Sequence, residues 1–376
     1  ASAGMSAALT ARLDSLILAA IADSAAPGAA VAVGRHGRLV HLRGYGRIDW
    51  AEDAPAVTDS TLYDMASLTK VIATTTAAMI LEEEGRLVLD RPVREYLPEF
   101  DDTAKAGITV RTLLTHRSGM DPVHGLYREY RGREQYLEQI NLRPPRRPPD
   151  TQTSYSDWNM ILMQLVAERI TGQTLNAFLE ERVFGPLGMR DTGYRPAAEL
   201  KPRIALTEIM EWRGGKVWGE VHDENAWALG GVAGHAGLFA SARDLAVFAQ
   251  MMLNGGEYGG VRIVRPETVA RWMAAQVPGP GGRALGWEKP YRGSSAGRYL
   301  SPWSIGHTGF TGTSIWIDPH ANLFVILLTN RVNPTRDNPR LGPLRRAVAD
   351  LVRESVLDTP LRAWEEEFGQ RARPTS

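Results

Sequence analysis

Ser67-Leu68-Thr69-Lys70 sets a hydroxyl and an amine three residues apart. On a helix that spacing puts both on one face, side by side. A serine hydroxyl is a weak nucleophile near neutral pH and needs a base beside it. A lysine can serve when burial or a nearby cation lowers its pKa. Leu68, Val71, Ile72, Ala78, Met79 and Leu81 make the surrounding helix largely apolar, so Lys70 is expected to be partly desolvated. Taken alone, the pair reads more readily as an N-cap serine followed by a solvated lysine.

Tyr155-Ser156-Asp157 follows the stretch 143–150, which is too rich in proline for a helix or a central strand and reads as a rigid connector. A loop tyrosine held by such a connector can point into a cleft. Beside a lysine its phenol pKa is expected to fall, so that it relays protons as base and then as acid. A buried amphipathic tyrosine followed by a Ser or Asp N-cap explains the same residues structurally. His307-Thr308-Gly309-Phe310-Thr311-Gly312 lies between two expected strands, where glycines let a ligand approach the backbone. The Phe310 N–H is placed to join that of Ser67 in an oxyanion hole, whose donors typically contribute about 10²–10³ in rate. A glycine-containing hairpin turn is the structural counterpart.

These residues need elements to position them. Helical spacing predicts helices over 7–25, Leu68–Glu84, 158–171, 174–183, Ser241–Leu253 and 343–355, and a helix opening in 108–117 with Thr109 as its N-cap. Strands are expected at Ala29–Gly34 and Leu39–Arg43, joined by a turn at His36-Gly37. Others are expected near Leu62–Met65 and at Ser304–His307, Thr313–Ile317 and Leu323–Thr329. Pro278–Gly282 and Gly293–Gly297 read as loops. Strands thus fall near both ends, and the middle is mostly helical. The expected fold class is α+β: an antiparallel sheet formed by both chain ends and flanked by helices, with a mostly helical inserted subdomain. One catalytic domain is expected over 1–376, with subdomains at 7–65 plus about 240–376 and at about 66–239, and with the site at their junction.

Composition narrows the function. The 43 basic and 43 acidic residues balance, so no basic footprint for nucleic acid is present. The absence of cysteine removes thiol catalysis, disulfides and cysteine metal sites. No apolar run approaches the roughly 18–20 residues of a membrane span. The start, Ala1-Ser2-Ala3-Gly4, is compatible with a removed leader, which favours a periplasmic or secreted protein over a cytoplasmic one.

Together, the three motifs in the order Ser67-x-x-Lys70, Tyr155-x-Asp157 and His307-Thr308-Gly309 resemble the serine β-lactamase and penicillin-binding-protein superfamily. The resemblance is strongest to the class C β-lactamase branch with its family VIII carboxylesterases and D-amino-acid-processing peptidases. Pro27–Val31, Pro92–Pro98, Leu113–Gly119 and Gly237–Ser241 are similar to that branch as well, so the likeness runs over roughly residues 9–355. It implies that Ser67 is acylated, that Lys70 takes its proton or tunes the site, and that Tyr155 is the general base. It also implies that the Ser67 and Phe310 amides form the oxyanion hole, that Asp157, His307, Thr308 and Gly309 face substrate, and that neither metal nor organic cofactor takes part.

Two positions depart from the pattern. Class C enzymes carry Tyr-x-Asn where this chain has Asp157, and an ionised Asp accepts hydrogen bonds but cannot donate. A carboxylate there also raises the Lys70 pKa, which makes Tyr155 the better proton acceptor. The lysine of the usual Lys-Thr-Gly motif is His307, neutral for much of the time near pH 7 but able to hydrogen-bond Tyr155 or a substrate oxygen. Both changes weaken recognition of anionic β-lactams. The expectation is therefore a carboxylesterase for short-chain esters, with weak or no β-lactamase activity. A D-Ala-D-Ala-type peptidase, a D-aminopeptidase or a class C-like β-lactamase is the alternative, and a peptidoglycan-fragment binder the non-enzymatic one. Substrates would be small esters, peptides or β-lactams. His222-Asp223-Glu224-Asn225 with His235 has metal-ligand residue types but no metal-site spacing, and 222–237 is expected as a cleft wall. His116 is expected to be structural. Trp158, Trp227, Trp287 and Trp303 are candidates for an apolar acyl pocket or for simple packing.

Overall fold

The computed structural model describes residues 3–122, 125–277 and 282–363. Ala1-Ser2 and all of the expected loop at Pro278–Gly282 except Gly282 lie outside them. A five-stranded antiparallel sheet dominates. In spatial order its strands are Ile305–Thr308, Ser314–Asp318, Leu323–Thr329, Gly28–Arg35 and Arg38–Gly46. The first and last parts of the chain meet at its centre, where Val31 faces Leu327 and Ala32 faces Ile326.

Both faces of this sheet are covered, which is why its central strands are continuous apolar runs without polar alternation. On one face Ala29, Val31, Val33, Leu323, Val325 and Leu327 pack under two helices, Leu9–Ala22 (through Leu9, Leu13 and Ile17) and Leu341–Glu354 (through Leu344, Val348 and Val352). The alternate residues Ala30, Ala32, Ile326 and Leu328 join Leu68, Val71, Leu245 and Phe248 in the larger core on the other face. There lies the helix Ala242–Leu253, N-capped by Ser241.

A smaller sheet carries the expected strand near Leu62–Met65. Tyr63–Asp64 pairs with Leu238–Ala240, which pairs in turn with Gly193–Tyr194. The chain between Ser67 and Leu238 is chiefly helical, with Val110–Leu114 starting from a capping box at Thr109 and Asp157–Thr171 ending at Gly172. Two helices of eight or more residues were not expected from the sequence. Gly132–Asn141 buries only Tyr136, Gln139 and Ile140, too little for a clear apolar stripe, and Pro266–Met273 is short. The expected helix Leu68–Glu84 is not uniformly α. Lys70–Thr74 is a π turn and only Thr75–Glu83 is α-helical. Thr74 Oγ1 donates to the Gly234 carbonyl at 2.6 Å, pinning this widened turn to the loop beside it. Among the described residues, no helix is long and apolar enough to cross a membrane.

Candidate active site

The turn that presents Ser67 is built by its neighbours. Ala66 takes a left-handed φ of 44°, which costs a residue with a Cβ of order 1 kcal/mol. The buried Asp64 holds it there: its Oδ1 accepts from the Ala66 amide at 2.7 Å and its Oδ2 from the His222 amide at 2.6 Å. Lys70 is fully buried and its ammonium donates to Ser67 Oγ and to the His235 carbonyl, each at 2.9 Å, while pairing with Asp157 at 2.7 Å.

Tyr155 reaches the same oxygen, its hydroxyl donating to Ser67 Oγ at 2.9 Å. In the phenolate form it is placed to accept the serine proton along that line. Its loop is clipped to His116 on both sides: Ser154 N–H donates to the His116 carbonyl at 2.7 Å and Ser156 N–H to His116 Nδ1 at 3.2 Å. The proline-rich connector is docked in the same manner, Asp150 to the Arg117 carbonyl and Arg146 to the Gly119 carbonyl. Gly119 has φ 78°, and a Cβ there would stand 2.2 Å from the Arg147 carbonyl oxygen, so only glycine fits. His116 therefore has the structural role expected of it. Its ring lies 4.6 Å from that of Tyr155, and burial keeps it neutral, well below the usual histidine range.

Electrostatics divides the three groups. Burial alone would lower the Lys70 pKa, but the Asp157 carboxylate and then Tyr155 outweigh it, and Lys70 is pushed up to about 12. Tyr155 departs from expectation. Burial raises its phenol above the usual value and the opposing pull of Lys70 does not reverse this, because Asp157 offsets part of that pull. The residue is 38% exposed, so water in the cleft relieves some of the rise. His307 is buried, and burial first, then Arg283 and Lys70, hold it well below the usual histidine value. Its Nδ1 lies 2.9 Å from the Thr308 carbonyl, which can only accept, so Nδ1 carries the proton. The buried Nε2, without a partner among the described residues, presents a lone pair. In this tautomer His307 accepts a hydrogen bond from an N–H or O–H and has no free proton for a carbonyl oxygen.

The turn carrying Phe310 is fastened to the segment that leads into Ser67. Thr311 Oγ1 donates to the Asp64 carbonyl at 2.7 Å and Thr313 Oγ1 to the Met65 carbonyl at 3.0 Å. Neither the Ser67 nor the Phe310 amide finds a backbone or side-chain acceptor among the described residues, which leaves both free for a substrate oxygen. Thr308 is half-buried beside it at the strand end. Gly309 is the contact point: a Cβ there would lie 2.5 Å from the Met65 carbonyl oxygen and 2.1 Å from Thr313 Oγ1. Gly309→Ala is expected to leave the fold intact by circular dichroism while lowering kcat by about 10²-fold, the loss typical of one misplaced oxyanion donor. Steady-state kinetics on the purified variant checks this.

Ser67, Asp157 and Phe310 open into a cleft of about 690 Å³, walled by Tyr127, Arg128, His222–Asn225, Ala236 and Arg336. The 222–237 segment forms a wall as expected. None of the four tryptophans lines this cleft. Trp158 and Trp287 are buried in the core, Trp303 stacks on His320, and Trp227 packs against Trp212. No apolar acyl pocket is formed by them, and the walls are charged. Arg336 bridges Glu208 and Glu224, each at 2.7 Å, and lies over the Phe310 ring. Asp157, Asp223 and His235 come within 4.8 Å of one another, a grouping with metal-ligand types. The Lys70 ammonium on Asp157 is already its counter-ion, and His222 is engaged with Glu208 at 2.7 Å. Asp64, Arg336 and Arg283 were not singled out from sequence. A charged residue inside the apolar run Leu62–Met65 was the one available signal, and it pointed to Asp64.

The sequence profile of the family described as Beta-lactamase matches residues 13–350. A protein of Escherichia coli (strain K12) named "Putative D-alanyl-D-alanine carboxypeptidase" is 36% identical over 324 residues, 78% of this chain and 74% of that protein. Two solved structures share the fold. EstCE1, a hydrolase with promiscuous acyltransferase activity, has a TM-score of 0.75 at 23% identity, covering 92% of this chain and 98% of its own. A class C beta-lactamase has a TM-score of 0.75 at 18% identity, covering 90% and 95%.

Proposed function

The chain belongs to the Beta-lactamase family of serine hydrolases, and we propose that within it the protein hydrolyses short-chain carboxylic esters through an acyl-enzyme on Ser67. The observation that carries this reading is the convergence of Lys70 Nζ and Tyr155 Oη on Ser67 Oγ, each at 2.9 Å. Ser67 Oγ bonds to the ester carbonyl carbon as the Tyr155 phenolate takes its proton. The carbonyl oxygen, now negative, rests between the Ser67 and Phe310 amides. Collapse breaks the bond to the alkoxide, which leaves with the proton from Tyr155. Water then attacks the acyl carbon, giving its proton to the Tyr155 phenolate, and the acid departs as the acyl bond to Ser67 Oγ breaks and Tyr155 returns that proton to Ser67 Oγ. Lys70, held charged by Asp157, stays an ammonium throughout and orients Ser67.

Preference for a neutral ester rests on two features. His307 is neutral and presents a lone pair, so it offers no charge to a substrate carboxylate. Asp157 is committed to Lys70 and cannot donate to an amide carbonyl. Wild-type protein is expected to turn over p-nitrophenyl acetate and butyrate with kcat/KM at least about 10²-fold above that for a chromogenic cephalosporin, a gap of roughly 3 kcal/mol in barrier. Parallel assays on one preparation check this, and faster cephalosporin turnover would sink it. A D-Ala-D-Ala-type peptidase is the second reading. It is favoured by the name of the 36% identical relative and by the charged cleft wall with Arg128, Asp223, Glu224 and Arg336. Release of D-alanine from a D-Ala-D-Ala peptide at a rate comparable to ester turnover selects it.

A further inference from the structure

Tyr155 needs a positive field to act as a base, and its obvious source is reduced. The Asp157 carboxylate sits 2.7 Å from the Lys70 ammonium and offsets part of its pull on the phenol. The other titratable groups facing Tyr155 come from three elements. His116, 4.6 Å away ring to ring, and His307, at 6.0 Å, are both neutral. The third is Arg283, whose guanidinium lies 5.7 Å from the centre of the Tyr155 ring. Its Nε and Nη1 are buried and have no hydrogen-bond partner among the described residues. A buried guanidinium without a paired carboxylate keeps its full field. Burial raises the pKa of the nearby Glu288 carboxyl, and the Arg283 charge opposes that rise, while no carboxylate pairs with Arg283 among the described residues.

We propose that Arg283 adds to the positive field under which Tyr155 gives up its proton, making good the part of the Lys70 charge that Asp157 offsets. Arg283 is a positioning residue in this sense: it acts through Tyr155 and touches no reacting atom. The inference rests on the reading of Tyr155 as the base for Ser67. It also links two features that otherwise stand apart, the acidic residue at position 157 and the unpaired arginine.

The test is the pH dependence of kcat/KM for p-nitrophenyl acetate, a neutral ester, in wild type, Arg283→Gln, Arg283→Lys and the double variant Arg283→Gln/Asp157→Asn. A base must be deprotonated, so activity is present above its pKa and is lost as pH falls through it. Removing a cation raises that pKa. Arg283→Gln is expected to move the rising limb upward by about one pH unit, a tenfold loss at fixed pH below the limb. Arg283→Lys leaves the limb in place. Adding Asp157→Asn to Arg283→Gln frees the Lys70 charge and brings the limb back down. A lowered plateau with an unmoved limb overturns the proposal and makes Arg283 a packing residue. An effect confined to KM for esters bearing a carboxylate overturns it too and makes Arg283 a substrate contact. Labelling of wild-type Ser67 by a fluorophosphonate, followed by intact mass, separates the two levels. An adduct with an unmoved limb sinks the Arg283 inference alone, whereas no adduct at any pH removes the serine-hydrolase reading with it.

Discussion

Ser67→Ala is expected to lower kcat for p-nitrophenyl butyrate by at least about 10³–10⁴-fold, with KM changed little. Removing the nucleophile of such a group leaves only what binding and the oxyanion donors contribute. The geometry explains why no neighbour takes over. Lys70 Nζ and Tyr155 Oη both point at the oxygen that the substitution deletes, and the Lys70 ammonium, held by Asp157, has no lone pair with which to attack. Fold loss is not the expected cause, since Ser67 is only half-buried and its turn is held by Asp64 through the Ala66 amide. The measurements are steady-state kinetics and intact mass after fluorophosphonate treatment, where the variant should gain no adduct. Equal rates in variant and wild type would place the hydrolysis elsewhere.

Tyr155→Phe carries the second large expectation, a loss of about 10²–10⁴-fold in kcat/KM. Lys70 is the rival base, and magnitudes decide between them. With a pKa of about 12, only about one Lys70 in 10⁴–10⁵ is unprotonated at pH 7–8. Tyr155 is raised as well, but it starts lower, is open to the cleft and has the Lys70 ammonium acting on it. Proton transfer through Tyr155 also leaves the buried Lys70–Asp157 pair intact, whereas neutralising Lys70 would strand a carboxylate. The phenylalanine variant should lose the rising limb of the pH–rate profile along with its rate. A drop of less than tenfold with the limb preserved would transfer the role to Lys70.

Much of this arrangement can be read from residue order. Ser67, Lys70 and Tyr155 converge as their motifs imply, and the raised Lys70 pKa follows from one carboxylate at position 157. The sheet of both chain ends is equally legible, because runs such as Leu323–Thr329 are too apolar to be anything but buried. What escaped depends on burial and on partners remote in sequence. The Tyr155 pKa was expected to fall because lysine was weighed alone, and the cost of burying a phenolate is visible only once the cleft is built. His307 could not be assigned as a lone-pair donor until the Thr308 carbonyl fixed its tautomer. Arg283 lies just past a glycine- and proline-rich stretch with no motif around it, and chain folding alone brings it beside Tyr155. The tryptophans near the motifs were open to an acyl pocket or to simple packing, and sequence proximity could not decide, because it does not set the direction in which a ring points.

The pairing of Gly28–Arg35 with Leu323–Thr329 at the centre of the main sheet joins segments far apart in sequence. Ala29 pairs with Thr329, and contacts of such sequence separation close slowly. The oxyanion turn at Gly309–Thr313 belongs to the same late segment, yet it is bolted to Asp64 and Met65 beside the nucleophile. The proposed site is therefore assembled only when this distant segment docks. A chain cut before Gly309 keeps Ser67, Lys70 and Tyr155 but lacks the Phe310 amide.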